Sequence, residues 1–350
     1  MKVVALDAGG ATLKASVVVP GVTPTVSILA NHVASTSVNP STILMGQKLQ
    51  ELERLRSKLR YLRPVQRGYC VNWNIESELW AYLMNEMLQV DPSEYALVVT
   101  SPLLSPAICS RELRTFILCT LQKLVDPPLQ PPLVDDDPLR FSTSSCHLVV
   151  DSGFSFTHVI PVINGKVYLP EIVSYRQWNV MDDTSVINEL KEALCYCSLH
   201  FKNDLDRYHF DRNMRKHWIL PDFYTERQDI GISQAGIAET IVQAVEACPD
   251  ELSSALYANI LLVGGNTKFG NFRQRLEQDL RPLVPDDFDI EVHESSDPIL
   301  AAWQGCCSIA ESDALSTRIV SKKEYDEHGS NICLKKFQQG LQALSDVSQI

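Results

Sequence analysis

The fold is decided by residues 1–16, MKVVALDAGGATLKAS. The apolar run before Asp7 predicts a buried strand, the glycine pair predicts a turn, and the residues after it predict a second strand. A carboxylate at the end of a strand attracts cations, and the backbone N–H groups of a glycine turn can hold phosphate oxygens. Lys14 can approach the same anion. This stretch therefore predicts half of a phosphate site.

A second copy of this pattern occurs at residues 147–163, where HLVV leads into Asp151-Ser152-Gly153 and another apolar strand follows. Two similar hairpins, each with a carboxylate and a glycine turn, predict two related half-molecules that face each other across one phosphate and its metal. The alternative is a pair of ordinary β-hairpins in which Asp and Gly only form the turns.

Composition and charge limit the class of protein. The 350 residues suffice for two domains, and 45% apolar with 21% charged residues is typical of a globular protein. A net charge of −12 argues against DNA binding over the whole surface. It does not exclude a local patch of basic residues. The ten cysteines lack C-x-x-C spacing and are predicted to be reduced core residues, with Cys195 and Cys197 on one helix. No signal peptide or membrane-spanning run is predicted.

Periodicity predicts the elements of the first half. Leucines at steps of three and four predict an amphipathic helix over residues 47–63, which is either a surface helix or a contact for a partner or nucleic acid. A helix capped by Asn74, a strand over 95–100 and a helix over 112–125 follow. The proline- and aspartate-rich residues 126–139 predict a loop or an interdomain linker.

The second half contains a third glycine turn. Helices are predicted over residues 183–206 and 233–247. A strand over 259–263 then leads into Gly264-Gly265-Asn266-Thr267, and a helix over 271–280 follows. A strand, a glycine turn and a helix make a third place where the backbone can approach a nucleotide closely.

Residues 250–269, DELSSALYANILLVGGNTKF, resemble the adenosine-loop signature of the actin superfamily. Further motifs resemble those of the same family and occur in its order: the first phosphate loop at Asp7, Gly9 and Lys14, the second at residues 151–158, the ribose and adenine contact at Lys191 and Glu192, and a C-terminal motif, KEYDE, at residues 323–327. The matches span nearly the whole chain.

Within the superfamily, residues 151–161, 174–184, 219–223 and 229–232 are most similar to the actin-related protein 6 family. The resemblance implies an α/β, actin-like two-domain ATPase fold, with duplicated ribonuclease-H-like halves around a nucleotide cleft. It implies the following domains: a first domain at residues 1–144 and 297–350, with 31–63 as its small subdomain, and a second at 145–296, with 169–229 as a reduced small subdomain.

The chain departs from the family pattern in two places. After Lys166 it lacks a strand and a turn that contact the nucleotide in the family, and between Phe223 and Asp229 it lacks a longer insertion with a core strand. The fourth subdomain is therefore predicted to be shortened, either in a genuine small form or through a gene-model or splicing loss.

The resemblance implies a site for ATP or ADP with Mg²⁺. Asp7 and Asp151 are expected to hold the metal through water, and Asp151 and His158 are the catalytic candidates. His158 could equally be a strand histidine that a backbone group satisfies, and Gln122 is the candidate for the glutamine that would assist it. The expected cofactor-binding residues are Asp7, Gly9, Gly10, Lys14, Ser152, Gly153, Lys191, Glu192, Gly264, Gly265, Asn266, Thr267 and Phe269.

Two classes of function remain open. The resemblance implies a non-filament subunit, nuclear and also cytoplasmic, of an ATP-dependent remodeller that exchanges a core histone for its variant. Its expected partners are the remodeller ATPase, other subunits and, through the complex, the histone variant or nucleosome. No membrane contact is expected. Direct DNA contact is not supported by the net charge. The alternative is an active ATPase or kinase of the actin, sugar-kinase and chaperone superfamily, and a kinase would need a general base. A filament protein ranks last.

Overall fold

The structure is a computed structural model that describes most of the chain. The described residues are 2–36, 42–54, 59–66, 68–101, 123–125, 146–163, 166–167, 173–176, 188, 191–211, 236–312, 315 and 319–337. Among these residues, no helix has the length and apolar character that crossing a membrane requires.

Among the described residues, most strands lie before residue 180 and most helices lie after it. The strands are β1 (Val3–Ala8), β2 (Thr12–Val18), β3 (Ser27–Ala30), β4 (Val33–Thr36), β5 (Leu59–Leu62), β6 (Val65–Gln66), β7 (Tyr69–Cys70), β8 (Ala96–Val99), β9 (Lys123–Val125), β10 (Cys146–Ser152), β11 (Phe156–Ile163), β12 (Lys166–Val167), β13 (Val173–Arg176), β14 (Ile260–Val263), β15 (Val292–Glu294) and β16 (Ile319–Ser321). The α-helices are α1 (Gly46–Arg54), α2 (Trp73–Tyr82), α3 (Phe201–Phe210), α4 (Ile237–Glu246), α5 (Ser253–Tyr257), α6 (Phe272–Leu280), α7 (Ala301–Glu311), α8 (Lys322–His328) and α9 (Ser330–Phe337). Single helical turns lie at Leu83–Met87, Pro92–Glu94, Asp250–Leu252 and Gly265–Lys268.

The first sheet is built on the predicted N-terminal hairpin. Its strand order is β16-β9-β8-β1-β2-β3, with β1 antiparallel to β2 and parallel to β8. The β1 strand is buried from Val3 to Asp7 because both faces of the sheet are covered. Near its end, Asp7 is the partner of Lys14 on β2.

The second sheet repeats this arrangement. Its main order is β12-β11-β10-β14-β15, with β10 antiparallel to β11 and parallel to β14, and β13 also pairs with β11. Asp151 on β10 is the partner of His158 on β11, just as Asp7 is the partner of Lys14. The duplication predicted from the two hairpins is therefore present in the topology of the sheets.

Helices cover both sheets. One face of the first sheet packs on α2 through Leu79 and Trp80, and the other packs on α7 through Trp303 and Cys306. The second sheet packs on α4, α5 and α6, while Ala301 at the start of α7 joins the cluster on its opposite face. Helix α7 therefore contributes to the cores of both sheets.

Three predictions in the first half were wrong in detail. The helix predicted over 47–63 ends at Arg54, and Leu59–Leu62 is a strand that pairs with β4, because strand pairing overrides the leucine periodicity. Asn72 rather than Asn74 caps α2, accepting a hydrogen bond from the backbone N–H of Ile75. The end of the helix predicted over 112–125 is strand β9, which lies between β8 and β16. Residues 112–122 and the loop predicted over 126–139 lie outside the described residues.

The helix predicted over 183–206 is interrupted. Residues 191–194 are helical, but residues 195–200 are not, because the Cys197 N–H donates to the Gly270 carbonyl at 2.9 Å and Asn271 donates to the Cys197 carbonyl. Cys195 and Cys197 therefore do not share a helix, and Cys195 is exposed rather than in the core. The helix predicted over 233–247 is confirmed as α4, with Ile241 fully buried.

Candidate functional site

The first loop holds a buried ion pair. Lys14 donates from Nζ to Asp7 Oδ2 at 2.7 Å, and both side chains are almost fully buried. The hydroxyl of Thr100 donates to Asp7 Oδ1 at 2.8 Å and accepts from the N–H of Ala8 at 3.0 Å. Thr100 directly follows β8, so the parallel pairing of β8 with β1 places its hydroxyl beside the carboxylate. Both oxygens of Asp7 are therefore occupied.

A buried asparagine supports the glycine turn of this loop. Asn31 lies between β3 and β4 and donates from Nδ2 to the Gly9 carbonyl at 2.9 Å. Its backbone N–H donates to the Ala11 carbonyl at 2.8 Å. A Cβ on Gly9 would lie 2.9 Å from the Thr12 carbonyl oxygen and 3.8 Å from Lys14 Nζ. The turn is therefore held close to the lysine ammonium.

The second loop has the same backbone form and different side-chain chemistry. The Gly153 N–H donates to the Phe156 carbonyl at 2.9 Å, and the hydroxyls of Ser152 and Thr157 are 3.0 Å apart. The pKa of Asp151 is raised to about 6, first by burial and then by the negative charge of Asp7, while Lys14 opposes the rise. The two carboxylates are therefore close enough to repel each other.

The first and second loops lie against each other. A Cβ on Gly10 would lie 2.6 Å from Ser155 Oγ and 3.5 Å from the Phe154 ring. The guanidinium of Arg63 lies over the Phe154 ring at 5.1 Å, and the ring of Tyr69 meets that of Phe156 at 5.5 Å. The predicted facing of two hairpins is thus realised, with contacts from the segment around β6 and β7.

The third glycine turn touches the second loop. Gly264 has φ +91°, and a Cβ there would lie 2.3 Å from the Ser152 carbonyl oxygen and 2.8 Å from Asp151 Oδ1. Only glycine allows this approach. Asn266 donates from Nδ2 to the Gly153 carbonyl at 2.8 Å and to Ser152 Oγ at 3.3 Å. Thr267 closes the turn by donating to the Gly264 carbonyl at 2.8 Å.

Lys191 joins this group from the short helix that precedes α3. Its Nζ donates to Asn266 Oδ1 at 3.2 Å and lies 5.4 Å from the centre of the Phe269 ring. Phe269, expected as a stacking wall, thus packs against the lysine ammonium. Glu192 is exposed, and Gly265 is next to Ile299.

His158 is buried and neutral at physiological pH. Burial lowers its pKa to about 4, and its ring lies 5.1 Å from that of Phe156. Its Nδ1 is buried and has no hydrogen-bond partner among the residues that the structure describes. A neutral imidazole can accept a hydrogen bond or orient water, but it does not supply a positive charge. Gln122 lies outside the described residues.

A family model described as Actin matches residues 1–118 and 171–338. The chain belongs to the actin family. The stretch between the matched ranges contains the second hairpin, whose place in an actin-like cleft follows here from its geometry.

The relatives narrow the assignment within the actin family. An actin-related protein 6 of Oryza sativa subsp. indica is 30% identical over 433 residues, which cover 96% of this chain and 98% of the rice protein. An actin-related protein 6 of Arabidopsis thaliana is 31% identical, covering 79% and 85%, and one of Drosophila melanogaster is 27% identical, covering 93% and 97%. The chain therefore belongs with the actin-related protein 6 family. The rice alignment is longer than this chain of 350 residues, so the relative has segments that this chain lacks.

The donor set of this actin-family cleft fits Mg²⁺. Asp7 and Asp151 are the two facing carboxylates, and Mg²⁺ is usually bound by one or two carboxylates plus phosphate oxygens and waters. Among the described residues, no group of three or more His, Cys, Asp and Glu side chains could enclose a metal. Burial is the main cause of the raised pKa of Asp151, and the negative charge of Asp7 is the second, which a cation between the two carboxylates would offset. A hydrated ion with a nucleotide phosphate therefore suits this pair.

The structure brings nearly all of the predicted site residues together. Glu192, which is exposed and without a described contact, is the exception. Thr100 and Asn31 were not predicted, although both contact the first loop through hydrogen bonds. Thr100 could have been found from its position at the end of the strand parallel to β1, whereas nothing in the sequence around Asn31 points to Gly9.

Proposed function

We propose that this actin-family chain binds ATP or ADP with Mg²⁺ and acts as a non-filament scaffold subunit. The observation that carries the proposal is the pair of facing hairpins, in which Asp7 and Asp151 occupy equivalent positions. Between these carboxylates an Mg²⁺ ion would find water-mediated ligands, and Gly9, Gly10, Ser152 and Gly153 would offer backbone and hydroxyl groups to phosphates. The turn from Gly264 to Thr267 would face the adenosine, with Lys191 and Phe269 beside it.

We further propose that the scaffold belongs to an ATP-dependent chromatin-remodelling complex, in the nucleus and also in the cytoplasm. The support is the resemblance to the actin-related protein 6 family over nearly the whole chain. The partners would be the remodeller ATPase and other subunits, with the histone variant or nucleosome reached through the complex. Exchange of a core histone for its variant would then be the work of the assembly.

Thermal stability with nucleotide tests the binding proposal. A ligand that binds only the folded chain stabilises it by RT ln(1 + [L]/Kd), which is about 2.7 kcal/mol when its concentration is 100 times Kd. Mg-ATP should therefore raise the melting temperature of the purified chain, and Asp151→Ala should remove that rise. The matched control is Asp91→Ala, because Asp91 is exposed and caps a distant helical turn. No rise with any adenine nucleotide would contradict the proposal.

Affinity isolation from nuclear extract tests the scaffold proposal. We expect a remodeller ATPase, identified by mass spectrometry, to co-purify in proportion to the tagged chain. Filaments or free monomer alone would count against this assignment. Steady ATP turnover by the isolated chain, lost in Asp151→Ala, would instead favour the enzyme alternative, in which His158 orients water as a neutral group.

A further inference from the structure

Glu76 is a carboxylate buried beneath the first loop. It lies on α2 one turn before Trp80 and is only 3% exposed. Trp80 donates from Nε1 to Glu76 Oε1 at 2.8 Å. The other oxygen, Oε2, is buried and has no hydrogen-bond partner among the described residues. A buried carboxylate with an unsatisfied oxygen is unfavourable when ionised.

Asn31 connects this carboxyl to the first loop. Its side chain is fully buried, contacts Glu76 and donates from Nδ2 to the Gly9 carbonyl at 2.9 Å. Its Oδ1 is also buried and has no partner within the described part of the chain. Two neighbouring side chains therefore each carry one acceptor oxygen without a donor.

One proton on Glu76 would change this arrangement. A protonated carboxyl has an O–H that can donate to Asn31 Oδ1, and this single bond would satisfy both acceptors. An ionised carboxylate has no donor, so Asn31 Oδ1 stays unsatisfied beside a negative charge, and the carboxylate attracts the Asn31 amide N–H groups, one of which holds the Gly9 carbonyl. The protonated form of Glu76 therefore binds the amide oxygen of Asn31, whereas the ionised form competes with Gly9 for the amide N–H groups.

The surroundings of Glu76 favour the protonated form. Burial raises the pKa of Glu76 to about 7, and the hydrogen bonds of Trp80 and Asn31 oppose the rise. No charged group among the described residues contributes to this shift. The other titratable side chain of the Asn31 turn is His32, which is buried with its ring against Tyr61.

We propose that Glu76 is a positioning residue for the first phosphate loop, holding Asn31 on the Gly9 carbonyl when it is protonated and loosening that contact when it is ionised. The predicted effect on nucleotide affinity rests on the proposed function, whereas the effect on the loop does not. Loss of the proton to solvent as pH rises through neutrality weakens the support of Gly9. The loop should therefore be better ordered, and nucleotide bound more tightly, on the acid side.

Hydrogen exchange in the nucleotide-free protein tests the effect on the loop. The measured quantity is the exchange rate of a peptide covering residues 8–13, corrected for intrinsic pH dependence and compared with a peptide from β14. We expect about fivefold faster exchange at about pH 8 than at about pH 6. Glu76→Gln, which cannot ionise, should make the corrected rate independent of pH. Glu78→Gln is the matched control, because Glu78 is exposed on the same helix.

An unchanged pH dependence in Glu76→Gln would overturn the proposal. If Glu76→Gln does not fold, the same profile is measured in Asp151→Asn, in which the other nearby carboxyl with a raised pKa no longer titrates. Loss of the pH dependence in that variant would also overturn the proposal, and its retention would support it.

Nucleotide affinity separates this inference from the proposed function. Mg-ADP binding is measured by calorimetry at about pH 6 and about pH 8, and we expect roughly fivefold tighter binding at the lower pH in the unmodified chain and in Glu78→Gln. Glu76→Gln should show a clearly smaller change. Equal changes in all three proteins overturn the coupling between Glu76 and affinity. If no protein binds Mg-ADP at either pH, the proposed function fails, and the exchange experiment still decides the role of Glu76.

Discussion

The first glycine loop, after β1, contains its own cation, whereas the second, after β10, does not. Asp7 is paired with Lys14 and also accepts a hydrogen bond from Thr100. Asp151 occupies the equivalent place on the second hairpin, but the residue across from it is the neutral, buried His158. Among the described residues, the carboxylate of Asp151 has no ion pair, and its pKa rises to about 6.

The two loops of this duplicated fold therefore differ in how their carboxylates are neutralised. A loop that neutralises its own carboxylate can be ordered without ligand, while a loop with an unneutralised carboxylate is stabilised further by an external cation. The first loop is therefore neutralised by the chain itself, and under the proposed function the second loop would be stabilised by Mg²⁺ and phosphate. The following substitutions test this difference between the two loops.

Lys14→Met should have the largest effect. It leaves Asp7 buried next to Asp151 without its cation, and breaking a buried ion pair from one side costs about 3–5 kcal/mol. The free energy of unfolding in urea measures this loss. Lys2→Met is the matched control, because Lys2 pairs with Glu94 at the surface, where solvent screens the attraction and the loss should be much smaller. Equal losses in the two variants would contradict the internal-cation interpretation.

Gly264→Ala should disturb the second loop more than the first. Its positive φ and the close Ser152 carbonyl together should destabilise the chain by about 3 kcal/mol. Gly329→Ala separates the two causes, since Gly329 has φ +63° but open space around it, and should cost about 1 kcal/mol. Similar losses in the two variants would mean that backbone strain alone accounts for the effect. Urea unfolding compares the variants, and exchange of a peptide over residues 150–158 reports on the second loop.

Asp151→Asn should stabilise the chain in the absence of Mg²⁺. A carboxyl whose pKa is raised by folding holds its proton more tightly in the native state, so stability falls as pH rises from about 4 to about 6 and stays lower above that range. The amide cannot ionise, and it should recover up to about 3 kcal/mol at neutral pH. Urea unfolding across pH measures this. Asp91→Asn, at an exposed position where the pKa is lowered by Ser93, should show no such gain. A loss of stability in Asp151→Asn at neutral pH would contradict the conclusion that the ionised carboxylate of Asp151 destabilises the folded chain.

Much of the fold could be predicted because its signals are local. The two hairpins, β8, α4, β14 and α6 follow from apolar runs, glycine turns and helical periodicity. The errors arose where distant parts of the chain compete with local preference. Leu59–Leu62 has leucines at helical spacing, yet it pairs with β4, and residues 195–200 exchange helical hydrogen bonds for contacts with Gly270 and Asn271.

In the candidate site, too, the residues with local signals could be predicted and those that act from distant parts of the chain could not. Asp7, Asp151 and Gly264 lie next to or within glycine turns, so their positions at the ends of strands could be predicted from a few neighbouring residues. Thr100 and Asn31 act on the first loop across about 93 and 22 residues of chain, respectively. Their roles depend on strand pairing and on the packing of β3 against β2, which no local pattern contains.

Thr100→Val should give the smallest loss of stability, and it tests the contribution of one hydroxyl to the first loop. Valine keeps the shape of threonine but removes the donor to Asp7 and the acceptor for the Ala8 N–H, so a loss of about 1–2 kcal/mol is expected. Thr100→Ser keeps the hydroxyl and should recover most of this loss in urea unfolding. Thr100→Val should keep the ion pair between Lys14 and Asp7, which Lys14→Met removes. A loss as large as that of Lys14→Met would mean that the hydroxyl, rather than the ammonium, is the main support of the first loop.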